Sequence, residues 1–526
     1  MCAASVVIRV DSGAHIGSGH LMRCLTLAGE LRQRGTQVCF VSREHGGHLI
    51  AQIEDAGYIV HRLPAPQSAS PPAGDRRDWL GVTQRQDATE TLHALGRQRY
   101  DWLVVDHYGI DAVWEKLVRT KAERVMVIDD LADRLHDADL LLDQNYLGAN
   151  SAHRYVNRVP EHCRCMLGPR YALLQPIYRQ LRQMLPARDG SVRRILAFFG
   201  AQDATKSIVA VLHALNRPEF ADIAIDAIPG SDPETVVVLR SVARNRPNVT
   251  IHERLPSLAA VIARADLGIG AGGATTWERA CLGLPSVVAT TADNQVEIAR
   301  ALAADGFISY VGPSAMRSSE MWQSSLAEIL CDKEQLICLG RRAHDLTDGY
   351  GASRVARAMI GEFKMLIRPV APMDEFLLLE WANDPLVRRF SFNKCQITKD
   401  EHHNWFVARL ADPTCTILIG EDPEGLPLGQ VRFETDVARR EATVHVSVEP
   451  ALRGTGIGAR LLRETVSVWR SRTQEFTIVA EVLADNDASK RLFLGANFET
   501  GPARRPNSVV FKLRPDVQVG ESRATG

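Results

Sequence analysis

The chain has 526 residues, 45% of them hydrophobic and 24% charged, with a formal net charge of −1. That length is too great for one core and predicts two to four domains. The balanced charge offers no basic surplus for nucleic acid, and no apolar run reaches the ~20 residues that span a bilayer, so neither a nucleic acid nor a membrane is expected as partner.

Arg9 and Asp11 interrupt the first apolar run almost at once, which argues against a secretory signal. Ten scattered cysteines without a CxxC pair favour neither a zinc ribbon nor a disulfide frame, and a reduced, cytoplasmic protein is expected. In chain order, strands are predicted at 6–10, 37–42, 58–63, 102–106, 124–128 and 140–142, with helical patterns between most of them. This alternation is the signature of a parallel, doubly wound sheet. The Pro/Ser/Ala-rich run 64–74 reads as a surface loop. After a polar helix near 178–189 a second series begins, with strands at 194–199, 224–228, 249–252, 267–269, 286–289 and 307–311. Helices from 318 to about 364 close this half, the last expected to pack back on the first lobe.

Beyond Lys364 the pattern becomes α+β. A short strand at 366–369 precedes helices near 374–382 and 399–410, then strands at 415–420, 428–434 and 442–448 in meander spacing. A helix at 456–469, a strand at 476–481 and a short helix at 487–494 follow, and the polar tail 516–526 is expected to fray. The expected organisation is a Rossmann-like lobe over 1–188, a second over 189–364, an α+β domain over 365–515 and the tail.

Chemistry-bearing residues gather at predicted strand ends. Gly13, Gly17 and Gly19 lie between the first strand and a helix, and His20 stands at that helix's mouth. Asp106-His107-Tyr108, Asp129-Asp130 and Asp143-Gln144-Asn145-Tyr146 follow later strands. Each alone has an ordinary reading as a cap or turn residue. Several at the carboxyl edge of one parallel sheet point to a ligand crevice. In the second half, Gly270 to Glu278 follows a strand. Its Gly272, Gly273, Ala274 and Thr275 suit close approach of a pyrophosphate to backbone N–H groups. Glu278 lies one turn inside the helix, within reach of ribose hydroxyls, and Asn294 and Gln295 supply neutral amides for sugar or phosphate. No metal cage is evident, and none is expected.

These residues carry a resemblance. The motifs around Gly17–Arg23, Val105–Tyr108, Leu167–Leu174 and Gly270–Glu278 through Gln295 resemble the UDP-sugar hydrolase of pseudaminic acid biosynthesis. That family removes UDP from UDP-2,4-diacetamido-2,4,6-trideoxy-β-L-altropyranose and is related to the two-lobed (GT-B) glycosyltransferases. The resemblance covers roughly residues 5–360. It implies a catalytic histidine at His20, a supporting tyrosine at Tyr108 and a sugar-contacting asparagine at Asn294, with Gly17, Gly19 and Arg23 beside the UDP-sugar. Gln202-Asp203 departs from the family's usual Gly-Gly-Ser-Asp pattern. An imidazole titrates near ~6.5 and can aim a water at C1 at neutral pH. Asp11 is the expected residue to orient it.

In the last domain an R-x-x-G-x-G turn, Arg453 to Gly458, follows a strand and opens an amphipathic helix, and Asn486, Ser489 and Phe493 come later in N-x-x-S-x-x-x-F spacing. Together they resemble the acetyl-CoA-dependent N-acetyltransferase (GNAT) superfamily. The resemblance places acetyl-CoA along Val446 and Val448, over Arg453, Gly454, Thr455, Gly456, Ile457 and Gly458, and beside Asn486, Ser489 and Phe493. The segments Trp381–Arg388 and Ile397–Trp405 resemble its sugar-nucleotide branch, though ribosomal-protein acetyltransferases share them. Phe493 stands where many members carry a proton-donating tyrosine, and Glu434, His445 and Glu481 are the residues that could accept the amine's proton. The combined expectation is a bifunctional enzyme that acetylates the 4-amino group of a UDP-sugar and then hydrolyses off UDP. A GT-B glycosyltransferase fused to an acetyltransferase, or a hydrolase carrying a non-catalytic CoA-binding module, are the alternatives.

Overall fold

The computed structural model describes residues 4–66, 76–200, 205–229, 233–244, 246, 248–252, 255, 257–360, 364–423, 425–473 and 475–515. Gln202, Asp203 and the tail 516–526, singled out above, lie outside them. The chain divides into two compact units, Met1–Ala356 and Arg357–Gly526.

The first unit holds two parallel sheets. The first sheet comprises β1 (Ser5–Val10), β2 (Gln37–Arg43), β3 (Ile59–Leu63), β4 (Tyr100–Asp106), β5 (Ala122–Ile128), β6 (Leu140–Asp143) and β7 (Arg164–Leu167). Their spatial order is β3-β2-β1-β4-β5-β6-β7. β1 is buried almost throughout, with Val6, Val7, Ile8 and Val10 at 1% exposure or less, as a central strand covered on both faces must be. Val7, Leu103, Val105, Trp114 and Val125 form part of one core layer against the helices. β7 was not foreseen; its four residues, Arg164 to Leu167, carry neither a long apolar run nor alternation.

The second sheet comprises β8 (Arg194–Phe198), β9 (Ala224–Ala227), β10 (Val249–Ile251), β11 (Leu267–Gly270), β12 (Ser286–Thr290) and β13 (Ser309–Pro313), in the order β10-β9-β8-β11-β12-β13. Ile195, Ala197, Ile225, Ile269 and Trp322 pack on one side of it. Leu196, Trp277, Val288 and Ile298 pack on the other. Both sheets therefore have the Rossmann-like arrangement of a two-lobed GT-B fold. In each, the strand order reverses once, between β1 and β4 and between β8 and β11, and ligands bind at such switch points. The helix Gly351–Ile360 does touch the first lobe. The Ser353 hydroxyl donates to Glu30 Oε2 at 2.9 Å, and Arg354 Nη1 donates to the Arg170 carbonyl at 2.9 Å.

The second unit is a mixed sheet of β14 (Leu366–Pro369), β15 (Cys415–Glu421), β16 (Pro427–Asp436), β17 (Glu441–Val448), β18 (Thr477–Leu483), β19 (Glu499–Gly501) and β20 (Ser508–Leu513). Its order is β14-β15-β16-β17-β18-β20-β19, and β17–β18 is the parallel pair. That ladder ends at Thr443↔Val479, although both strands run on to Val448 and Leu483. The two strands splay there. The helix Ile457–Arg470 lies close on the sheet because β15 and β16 offer glycines beneath it. A Cβ on Gly429 would stand 2.7 Å from Leu461. On the opposite face Trp381, Phe406, Ile417 and Ile419 form a smaller core.

Candidate functional site

β1 and β4 are neighbours in register Val10↔Asp106, so the glycine loop after β1 and the last residue of β4 meet at the first switch point. The loop folds back on itself, with Gly17 N–H donating to the Gly13 carbonyl at 2.8 Å and Gly17 at φ +82°. It delivers His20 as the second residue of the helix Gly19–Gln33. His20 Nδ1 lies 2.6 Å from Asp106 Oδ1. A carboxylate there fixes the Nδ1–H tautomer and leaves the Nε2 lone pair free to take a proton.

Asp106 is itself gripped by Arg23, which stands one helical turn beyond His20. Nε reaches Oδ2 and Nη2 reaches Oδ1, both at 2.7 Å. Burial opposes ionisation of Asp106, but Arg23 and His20 outweigh it and hold the carboxyl well below the usual range. Arg23 Nη1 also donates to Asp130 Oδ2 at 2.7 Å. The same oxygen accepts from the Tyr108 hydroxyl at 2.8 Å, and Asn145 Nδ2 donates to the other at 3.1 Å. Burial first, and the Asp130 charge next, raise Tyr108 well above an ordinary phenol, so its hydroxyl stays protonated. The Tyr108 ring meets His20 edge-on, 4.6 Å between centroids.

Asp11 does not orient His20. It accepts from Arg9 Nη1 and Nη2 at 2.5 and 2.9 Å and from the Arg43 amide at 2.7 Å, with His45 Nε2 3.3 Å away. Arg9 and Arg43 both also bind Asp87. Asp11 thus belongs to a buried charge network below the loop. Beside it, burial pushes His107 down to about 3, so this imidazole is neutral and accepts the Gly109 amide through Nδ1 at 2.9 Å. The carboxylate against His20 is that of Asp106, which the sequence singles out only as one of a polar cluster.

Two residues without any sequence signal complete this side. Trp79 lies tilted against Tyr108 at 5.5 Å and meets His20 edge-on at 6.3 Å. Arg76 places its guanidinium 5.9 Å from the Tyr108 ring and donates through Nη2 to Asn294 Oδ1 at 2.8 Å. Both ride on the turn Arg76–Leu80. That turn is seated by Gly109, where a Cβ would come within 2.7 Å of the Arg77 carbonyl.

Across the cleft, β11 and β12 are adjacent and deliver the helices Thr275–Cys281 and Asn294–Ala304 side by side. Neither has a side-chain cap. The amides of Thr276, Trp277, Gln295 and Val296 donate to the carbonyls three residues back, so the N–H groups at the very starts, Thr275 and Asn294, are the ones placed for an anion. Gly270 has no room for a side chain, since a Cβ would collide with the Phe198 carbonyl. Gln295 lies against Gly272 and Gly273, and its Oε1 accepts from the Thr291 amide at 3.0 Å. Ala274 is exposed and Thr275 partly so. Burial raises Glu278 from 4.5 to about 7, with Tyr178 beside it. Gln295 meets the glycine turn at this edge, and Asn294 reaches the first lobe through Arg76.

In the second unit the turn Gly454-Thr455-Gly456 is exposed. Gly454 and Gly456 adopt φ +78° and +83°, and the helix from Ile457 starts without a side-chain cap. With the splay of β17 from β18 beside Val446 and Val448, this is an arrangement that fits a pyrophosphate and an extended thiol arm. Gly458 lets this helix sit close to its neighbour, because a Cβ there would stand 2.8 Å from Leu492. Arg453 is engaged within the protein, its Nη1 on Asp384 Oδ1 at 2.8 Å and its Nε on the Val448 carbonyl at 3.2 Å. These two bonds brace the turn and leave Nη2 without a partner among the described residues. Asn486 caps the helix Asp487–Gly495 by accepting the Ser489 amide at 3.0 Å. Phe493 is 5% exposed, stacked on Phe511 at 5.5 Å and edge-on to Phe498 at 5.2 Å; its ring is part of the core. Glu434 is paired with Arg432 at 3.0 Å, and Glu481 accepts from Ser508 Oγ at 2.7 Å. Crowding by the surrounding protein and then Arg432 and Arg409 push the His445 ring down.

Residues 364–499 match the family model "Acetyltransferase (GNAT) domain". An uncharacterized protein of Methanocaldococcus jannaschii is 21% identical over 522 residues, covering 97% of this chain and 99% of that one. The spore coat polysaccharide biosynthesis protein SpsG of Bacillus subtilis is 23% identical over 355 residues, covering 66% of this chain and 96% of its own. The UDP-2,4-diacetamido-2,4,6-trideoxy-beta-L-altropyranose hydrolase of Campylobacter jejuni is 27% identical over 175 residues, which is 33% of this chain and 53% of that protein. The chain thus joins homology to a UDP-sugar hydrolase with a GNAT domain. Among the described residues no helix is long and apolar enough to cross a membrane.

Proposed function

We propose that the first unit hydrolyses UDP from UDP-2,4-diacetamido-2,4,6-trideoxy-β-L-altropyranose, and that the second acetylates the 4-amino group of its UDP-sugar precursor with acetyl-CoA. The observation that carries the first half is the His20–Asp106 pair set opposite two adjoining helix N-termini without side-chain caps. Diphosphate charge is stabilised at those N–H groups, and C1 of the sugar lies toward His20. Water attacks C1 as His20 Nε2 takes its proton. The C1–O bond breaks with its electron pair passing to the phosphate oxygen, which leaves as part of UDP. Asp106 stabilises the imidazolium, and Tyr108, whose hydroxyl donates to Asp130, holds its ring edge-on beside the imidazole. UDP is a good leaving group already, so positioning and charge stabilisation carry the rate.

For the second half, the splayed strands and the glycine turn support acetyl-CoA binding. The sugar amine attacks the thioester carbonyl, the C–S bond breaks and CoA leaves as its thiol, the proton lost by the amine passing through solvent to the sulfur, with proximity as the main contribution. Acetylation precedes hydrolysis in this reading. Mass spectrometry of the UDP-4-amino-sugar incubated with and without acetyl-CoA tests it. The expected result is no UDP release without acetyl-CoA, and an acetylated UDP-sugar followed by free diacetamido sugar with it. UDP release from the unacetylated substrate, or acetylation with no later release, would contradict the scheme.

A further inference from the structure

Arg76 is a cation in the first unit's cleft that the chemistry above leaves unused. It carries two interactions, the hydrogen bond from Nη2 to Asn294 Oδ1 at 2.8 Å and an approach of 5.9 Å to the Tyr108 ring. Other arginines of this site are neutralised by carboxylates, Arg23 by Asp106 and Asp130 and Arg9 by Asp11 and Asp87. Arg76 is paired with a neutral amide, and among the described residues no carboxylate lies within ion-pair distance of it. An arginine directed into a cleft while retaining its full charge is suited to an anion.

Its position specifies which anion. Tyr108, on one side of the guanidinium, lies 4.6 Å from the His20 ring. Asn294, on the other, is the first residue of the helix Asn294–Ala304, which lacks a side-chain cap. A glycosyl diphosphate with C1 at His20 and its phosphates at the second lobe's helix ends would carry its sugar-linked phosphate between these two residues. We propose that Arg76 binds that phosphate, exchanging the Asn294 amide for a phosphate oxygen, and stabilises the charge that arrives there when the C1–O bond breaks. This assignment rests on the UDP-sugar reading of the cleft. It makes Arg76 a leaving-group residue supplied by the lobe that also supplies the base.

Calorimetric titration of the full chain with UDP and with UMP, which lacks the second phosphate, tests the assignment. The wild type should bind UDP more tightly than UMP. In Arg76→Gln the UDP affinity should fall by roughly tenfold or more, the scale of one charge-assisted hydrogen bond, while UMP affinity holds. Arg76→Lys should keep part of the difference. With the nucleotide sugar, Arg76→Gln should lower kcat by about 10²-fold, as loss of a transition-state donor does. Equal UDP affinity in Arg76→Gln and wild type would overturn the role of Arg76 and leave the nucleotide reading standing. Parallel loss of UDP and UMP binding would overturn it in favour of a merely structural arginine. Failure of the wild type to bind UDP would overturn the functional reading, and this assignment with it.

Discussion

His20 Nδ1 lies 2.6 Å from Asp106 Oδ1, joining the first helix of the chain to the end of its fourth strand across 86 residues. This pair decides which ring nitrogen carries the proton. Asp106→Asn keeps the shape and removes the charge that favours the base-competent tautomer. It is expected to cut UDP release by about 10²–10⁴-fold, the range general-base catalysis contributes, with the larger effect on kcat. His20→Ala should abolish UDP release while acetyl transfer continues. Steady-state assays of UDP and of CoA thiol, run on the same preparations, check both.

Acetyl transfer should be separately breakable at the glycine turn. Gly456 has φ +83°, a conformation that costs a side-chain-bearing residue roughly 1–2 kcal/mol. A branched side chain there would also cover the helix's first N–H groups. Gly456→Val is therefore expected to raise the KM for acetyl-CoA by at least about tenfold, the equivalent of ~1.4 kcal/mol. UDP release from the diacetamido substrate should be unchanged.

Restoring a tyrosine at position 493 should bring no gain. The ring is packed between Phe511 and Phe498, and a hydroxyl added in such a place lacks a partner. Phe493→Tyr is expected to destabilise the protein by about 1–3 kcal/mol, the cost of a buried unsatisfied polar group, without raising the acetylation rate. Urea unfolding followed by a CoA-release assay measures the two effects.

Glu278 gives stability a pH dependence of known sign. Its carboxyl is raised by burial from 4.5 to about 7, so the folded state holds this proton more tightly than the unfolded chain does. The associated stability is fully present below pH 4.5 and is lost as pH rises through about 7. Relative to Glu278→Gln, the wild type should lose stability across that window and then level off. Unfolding midpoints of both proteins in urea at several pH values show this; parallel curves would contradict it.

The architecture is legible in the sequence because each parallel strand is a buried apolar run and each glycine turn marks a strand-to-helix junction. β7, β19 and β20 were missed. β7 and β19 are only four and three residues long, and Ser508–Leu513 carries a lysine near its end. The site was legible by residue type but not by pairing. Asp11 and Asp106 are both acidic residues at strand ends, and only the adjacency of β1 and β4 shows which one faces His20. Arg76 and Trp79 sit on a short turn behind a Pro/Ser-rich stretch, where no periodicity marks them. Their role follows from long-range seating, such as the approach of Gly109 to the Arg77 carbonyl.

The bare starts of the helices at Thr275, Asn294 and Ile457 have a thermodynamic consequence. Other helices of the chain do carry side-chain caps, Thr83, Asp111, Ser318, Thr398 and Asn486 each accepting a first-turn amide, while those starting at Gly19, Ile50, Pro176 and Ala259 also lack one. Each omitted cap forgoes about 1 kcal/mol of intrinsic stability. Ligand oxygens supplied at those ends would return it through mass action, about 2.7 kcal/mol at a hundredfold excess over Kd. The protein's resistance to unfolding should therefore track the supply of nucleotide and acyl donor. UDP would firm the part that holds His20 and acetyl-CoA the part that holds Gly456, so an enzyme starved of either ligand would be more prone to unfold and be degraded.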